Sequence, residues 1–166
     1  LFGSIHRGAR DHGGSAMNAA EELKVVERYH REKGMRWTNQ RRLIAEVALA
    51  NHNHFTADEL LALCRERDLG VSRATVYRTL ATMEEAGFIE GLDTGDGSKR
   101  FEHVLGHDHH DHMVCTGCST IIEFRDEQLE QRQLVAARRH GFKIQHHSLK
   151  LFGLCRRCQS ADAATS

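Results

Sequence analysis

Proline is absent from this chain of 166 residues, and only 6% of it is aromatic. Nowhere does an apolar run approach the roughly 18 residues that a membrane-spanning helix needs, so no membrane partner is expected. The first residues, LFGSIHRGARDHGGSA, carry glycine and charge but none of the apolar stretch that directs secretion. The expected location is therefore the cytoplasm, where closely spaced cysteines read as metal ligands or redox thiols before structural disulfides. Net charge is missing too: 23 basic residues balance 23 acidic ones, which taken alone argues against a nucleic-acid partner. The distribution argues the other way. Residues 34–45 hold Arg36, Arg41 and Arg42 with no acid, residues 69–83 hold Arg73 and Arg78 with no acid, and residues 97–101 hold Lys99 and Arg100 with no acid. Brought to one face by folding, these segments would give a neutral chain a local basic footprint.

What is plentiful is cysteine and histidine in a narrow pattern. Cys115 and Cys118 form one CxxC pair, and Cys155 and Cys158 form a second after 36 intervening residues. Each such turn aims two sulfurs at one point about 2.3 Å away, so the four thiolates suit a closed, structural Zn²⁺ site. The fifth cysteine, Cys64, lies among leucines and reads as a small buried hydrophobe. Five of the thirteen histidines, His103, His107, His109, His110 and His112, fall within ten residues. A closed four-sulfur site has no room for them, and imidazole suits iron, zinc, copper and nickel, so a further metal function is expected. Side chains alternate along a strand, which in HHDHMVC puts His110 and His112 on one face and His109 and Asp111 on the other. The plain alternative is a solvated His/Asp loop; the density of ligands favours two sites on opposite faces. Glu102, Glu123, Glu130 and His147 stand on neighbouring elements, and His54 precedes a helix, as candidates to complete them.

The elements that carry these residues are legible from caps and periodicity. A first helix, AEELKVVERYHREK, ends at Gly34. Thr38 caps NQRRLIAEVALAN, Thr56 opens a third helix with a Thr56-x-x-Glu59 capping box, and Ser72 caps RATVYRTLATMEEA ahead of Gly87. FIEGLD and KRFEHV flank a TGDGS turn as a hairpin. Four helices and a hairpin predict a winged helix-turn-helix. In its fourth helix Val76, Leu80 and Met83 face the core, leaving Arg73, Ala74, Tyr77, Arg78 and Ala81 outside. Ordinary solvated faces favour Glu and Lys, whereas this one is small, aromatic and arginine-bearing, as a helix entering a major groove requires. Beyond the hairpin, HDHHDHMVC, STIIEF and FKIQHHSLKLFG predict strands, and DEQLEQRQLVAARRH a helix starting at Asp126. The fold class is α+β: an N-terminal winged-helix domain, then a small α/β domain bearing the four-cysteine zinc site. The expected divisions are a disordered extension over 1–18, with Met17 at the start of the folded protein, domains over 19–100 and 101–158, and a disordered tail over 159–166.

Several motifs in order, Gly34–Arg41, ATVYRTL, HHDH ahead of CxxC, IIEF and HSLKLFGLC, together resemble the ferric uptake regulator family of bacterial metalloregulators over roughly residues 19–158. The resemblance implies a homodimeric, metal-dependent transcriptional repressor, joined through the C-terminal α/β domains and bound to double-stranded operator DNA. It places structural zinc on Cys115, Cys118, Cys155 and Cys158, and a regulatory metal between domains on His54, Glu102, His110, His112 and Glu123. A further metal site falls on His109, Asp111, Glu130 and His147. DNA contacts fall on Arg36, Tyr77 and Arg78, joining Arg73 and the wing residues Lys99 and Arg100 of the basic segments. The chain departs from many members in lacking proline near Gln40 and in the HVLGHD stretch after Glu102.

HSLKLFG resembles the iron-sensing branch, so Fe²⁺ is the expected regulatory ion, with Mn²⁺ or Zn²⁺ able to replace it; zinc-, manganese- and peroxide-sensing members are the alternatives. A zinc deaminase would need an open coordination position and an HxE…PCxxC arrangement, and neither HxE nor proline is present. A thiol redox protein would place one CxxC at a helix start after a strand, which two separated pairs fit poorly. No catalytic residue and no small-molecule substrate is expected.

Overall fold

A computed structural model describes residues 17–95, 97–107, 110–145 and 147–165. Helix starts follow the side chains able to satisfy free N–H groups. Asn18 accepts from the Glu21 amide at 3.0 Å while Glu21 accepts from the Asn18 amide at 2.9 Å, opening α1 (Ala19–Glu32). Asn18 is thus part of the fold, one residue inside the stretch expected to be disordered; residues 1–16 lie outside the described residues. Thr38 caps α2 (Asn39–Leu49), Thr56 with Glu59 boxes α3 (Ala57–Glu66), and Ser72 caps α4 (Arg73–Glu85), each cap contributing about 1 kcal/mol.

Val26, Ile44, Ala48, Leu60, Leu61, Val76, Leu80 and Met83 interlock in one core with Cys64, which is wholly buried as expected. Gly87, at φ +71°, turns the chain out of α4 into the wing, β2 (Ile89–Asp93) and β3 (Lys99–His103). A two-residue strand that local sequence does not announce, β1 (Phe55–Thr56), pairs on the other side of β3, so the hairpin becomes a three-stranded sheet in the order β1-β3-β2. Its Phe55 packs on Phe101 across the pairing.

The chain divides into two units, the N-terminal one running to residue 108. This is eight residues beyond the expected boundary at 100, because all of β3 is hydrogen-bonded into the wing and carries Glu102 and His103 with it. The C-terminal unit holds β4 (Asp111–Cys115), β5 (Ile121–Phe124), α5 (Glu127–Arg139), β6 (Lys150–Gly153) and α6 (Arg156–Thr165). β4 lies at the centre, antiparallel to β5 and parallel to β6. The final strand is shorter than FKIQHHSLKLFG suggested: its pairing begins only at Lys150, opposite His112, where the five-residue β4 has an edge to offer. The tail expected to be disordered over 159–166 is helical through Thr165. The second cysteine knuckle forms the first turn of α6, where Gln159 N–H donates to the Cys155 carbonyl at 3.0 Å, and the alanine-rich sequence propagates it.

Candidate metal centres and nucleic-acid interface

The four-cysteine cluster is built from two turns. The first follows β4, where Ser119 N–H donates to the Cys115 carbonyl at 2.8 Å and folds the CTGC segment back on itself. The second opens α6 beside it, and Cys155 N–H donates to Cys115 Sγ at 3.2 Å. All four Sγ atoms lie within 4.8 Å of one another, and Cys118 Sγ is 3.7 Å from Cys155 Sγ. Tetrahedral bonds of about 2.3 Å place sulfurs about 3.8 Å apart, so the residues fit Zn²⁺ without rearrangement. The local field favours thiolates unequally. The Thr120 hydroxyl, 3.2 Å away, is the main cause that holds Cys118 down at about 5, and the Cys155 amide lowers Cys115. Cys118 in turn is the main cause that pushes Cys158 up to about 12. Four adjacent anions repel one another, and only a cation lets all of them stay ionised. Gly117 is a participant not singled out from the sequence: a Cβ there would stand 3.1 Å from Cys158 Sγ and 3.2 Å from Leu154 Cδ2. Arg157, hydrogen-bonded to Cys118, is another.

The histidine strand separates as its alternation requires. Asp111 and His112 are both buried, at 1% and 2% exposure, on opposite faces of β4. His110 stacks edge-on near His112 with ring centroids 5.0 Å apart and comes within 3.7 Å of Glu123, the residue paired with His112 across the β4–β5 ladder. Asp111 instead joins Glu130 of α5 and His147, whose Nε2 is 3.0 Å from Glu130. His109, expected beside Asp111, lies outside the described residues. In the N-terminal unit, His54 and Glu102 meet at 3.2 Å, both largely buried, one from the loop ahead of β1 and one from β3. Both groups mix imidazole and carboxylate donors, the chemistry that suits Fe²⁺, Mn²⁺ and Zn²⁺.

A third histidine cluster was not assigned from the sequence. His52, His103 and His107 bring one ring nitrogen each to within 4.8 Å of the others, in the N-terminal unit. His103 is buried, and that burial, followed by the fields of His107 and His52, pulls its imidazole down to about 4, so it stays neutral.

The basic segments sort into free and tethered groups. Tyr77 is 43% exposed on α4, and Arg78 beside it is exposed and forms no ion pair among the described residues, as is true of Arg36 ahead of α2. Arg73 is exposed as well, but Asp58 holds it at 2.9 Å and it lies over the Tyr77 ring. On the wing, Lys99 pairs with Glu84 at 2.7 Å and Arg100 with Glu59 at 3.5 Å. The acids come from α4 and α3, which is why segments free of acid in sequence are not free of it in space.

The arrangement of a helix-turn-helix with a wing, a four-cysteine cluster and His/carboxylate groups is matched by known proteins. The profile of the Ferric uptake regulator family covers residues 32–152. The chain belongs to the ferric uptake regulator family. Its members are metal-responsive transcriptional regulators that bind DNA and are not enzymes. The Ferric uptake regulation protein of Campylobacter jejuni subsp. jejuni is 36% identical over 143 residues, spanning 85% of this chain and 90% of that one. The Peroxide operon regulator of Bacillus subtilis is 35% identical over 144 residues, spanning 87% and 98%. The structure of the Helicobacter pylori ferric uptake regulator Fur, described as having three functional metal binding sites, superposes with a TM-score of 0.77 at 28% identity, over 89% of this chain and 97% of that one. Relatives named for iron and for peroxide match about equally well, so likeness alone does not select the signal. Among the described residues, no helix is long and apolar enough to cross a membrane.

Proposed function

We propose that this regulator is a ferrous-iron-responsive repressor of metal-uptake genes, acting as a homodimer on double-stranded operator DNA. The observation that supports the reading is a mixed imidazole–carboxylate group in each of the two units. His54 and Glu102 stand together in the N-terminal unit, and His110, His112 and Glu123 stand together on the sheet of the C-terminal unit. Coordination of one ion by both groups would restrain the angle between the units. The chain's residues would convert that restraint into affinity: His54 directly precedes Phe55, which packs in one core with residues of α3 and α4. A coupling of about 1–3 kcal/mol would raise operator affinity roughly 5–150-fold. The test is operator binding under anaerobic conditions against Fe²⁺, Mn²⁺ and Zn²⁺ in turn, using DNA selected by the protein from a random pool. Binding that rises with Zn²⁺ at lower free concentration than the cell maintains, and not with Fe²⁺, would make this a zinc sensor.

The DNA-reading role of α4 rests on Tyr77 and Arg78, exposed on the face opposite Val76, Leu80 and Met83. Arg78→Ala is expected to weaken binding and relax specificity at one position per half-site by about 1–3 kcal/mol. Lys99→Ala is expected to weaken all sequences alike and lower the salt slope by about 1. Equal loss of specificity from both substitutions would assign the reading to another element.

Homodimerisation is supported by an uncovered apolar row. Ile122, Met113 and Leu151 are register partners across β5, β4 and β6, so their side chains share one face, yet they are 48%, 40% and 44% exposed in the single chain. No residue of α5 is buried either, and Leu134 and Val135 are exposed on it. A face of this kind marks a protein interface. Ile122→Glu with Leu151→Glu is expected to give a monomer by sedimentation that keeps its zinc; an intact dimer would move the interface elsewhere.

A further inference from the structure

The His52–His103–His107 cluster has no part in the regulatory reading above and does not rest on it. His52 comes from the loop after α2, His103 ends β3, and His107 sits in the turn that follows, held there by its N–H donating to the Val104 carbonyl at 3.2 Å. The ring centroids are 4.6 Å apart for His103 and His107, 5.5 Å for His52 and His107, and 5.8 Å for His52 and His103. A carboxylate completes the group. Glu22 of α1 is 5% exposed, and its Oε2 lies 3.4 Å from His103 Nε2. Neither ring nitrogen of His103 makes a well-formed hydrogen bond, although both are sealed from solvent.

A plain buried His–Glu pair accounts for this poorly. At 3.4 Å the His103–Glu22 approach is longer than a well-formed charge-assisted hydrogen bond, such a pair would need no other imidazole, and a buried carboxylate so weakly engaged is costly without a cation. We propose that Glu22, His52, His103 and His107 form a metal site internal to the N-terminal unit, taking a divalent late first-row cation such as Zn²⁺, Ni²⁺ or Co²⁺. Three imidazoles and one carboxylate are a donor set these ions accept at about 2.0–2.2 Å. One ring nitrogen of each of the three histidines already lies within 4.8 Å of the others, and Glu22 reaches the group through His103. Occupancy ties α1 and the α2–β1 loop to the end of β3. His103 follows Glu102 on that strand with its side chain on the opposite face, so the site adjoins the regulatory ligands without sharing any of them.

The test uses the full chain with its cysteine site zinc-loaded and with His109→Ala, His110→Ala, His112→Ala and His147→Ala removing the candidate imidazole ligands of the C-terminal unit. Titration with Co²⁺ is expected to show one further equivalent per chain, with visible bands lacking the strong thiolate charge-transfer absorption of a cysteine site. Adding His52→Ala and His107→Ala, both exposed positions, is expected to abolish that equivalent while the circular dichroism and zinc content stay unchanged. Glu22→Gln is expected to weaken Co²⁺ by no less than the roughly 10–100-fold that losing a supporting partner costs. No Co²⁺ beyond the structural zinc in the starting variant overturns the proposal. So does an equivalent that survives the loss of His52 and His107. Operator binding is not read, so the outcome is independent of whether the regulator responds to iron.

Discussion

Cys158→Ser is expected to release the structural zinc and unfold or monomerise the C-terminal unit. Few side chains of that unit are buried in the single chain, Val114 and Cys115 being its only buried hydrophobic ones among the described residues, so its ordering has little apolar burial behind it. Zinc at the four sulfurs would link the turn after β4 to the start of α6, just past the end of the β4–β6 ladder, where the Thr116 amide donates to the Gly153 carbonyl at 2.8 Å. Apparent binding energies of about 10–16 kcal/mol for structural zinc act as folding energy in a unit of this kind. A serine hydroxyl is a far poorer ligand than a thiolate, and its oxygen leaves an open, hydrolysable position. Cys115→Ser removes the sulfur that also accepts the Cys155 amide and is expected to behave the same way. Zinc content by mass spectrometry, thermal unfolding and sedimentation read the outcome together. A zinc-loaded dimer with the parent's melting temperature would remove the structural role from these cysteines. Because binding displaces the proton that Cys158 holds at neutral pH, zinc affinity is also expected to fall as pH drops.

His54→Ala is expected to abolish the metal dependence of operator binding while leaving the cysteine site loaded. The residue is distant in sequence from the histidine strand, and it lies on the loop before β1 rather than on α4. A loss of response therefore reports the link between metal and the DNA-binding unit, not a lost DNA contact. His110→Ala and His112→Ala are expected to give the same loss of the roughly 5–150-fold response, since they remove the other half of the donor set. Asp111→Ala, on the opposite face of β4 with Glu130 and His147, is expected to act more mildly, on dimer stability or on the metal concentration needed. The readout is a metal titration of operator binding for all four variants. A His54→Ala protein that responds like its parent would end the bridging mechanism even with every other ligand correct.

Much of the machinery was legible in the sequence because its signals are local. Thr38, Thr56 and Ser72 satisfy N–H groups three residues on, so caps and helix starts agree without reference to the rest of the chain. The CxxC turns carry their geometry within four residues, and strand alternation alone separated His112 from Asp111. Tertiary structure decided what depends on partners far along the chain. β1 exists only because β3 offers it an edge, and the pairing of β3 with β2 moved the unit boundary past Glu102. Glu84 and Glu59, from two different helices, bind Lys99 and Arg100 and leave Arg36 and Arg78 as cations with no acid partner among the described residues. The approach of Glu22 on α1 to His103 on β3, with His52 and His107 alongside, follows from how α1 and the wing pack against one core. A residue's own neighbours set its backbone conformation through hydrogen bonds one turn long, whereas its chemical surroundings are set by packing, which joins segments that no local pattern connects.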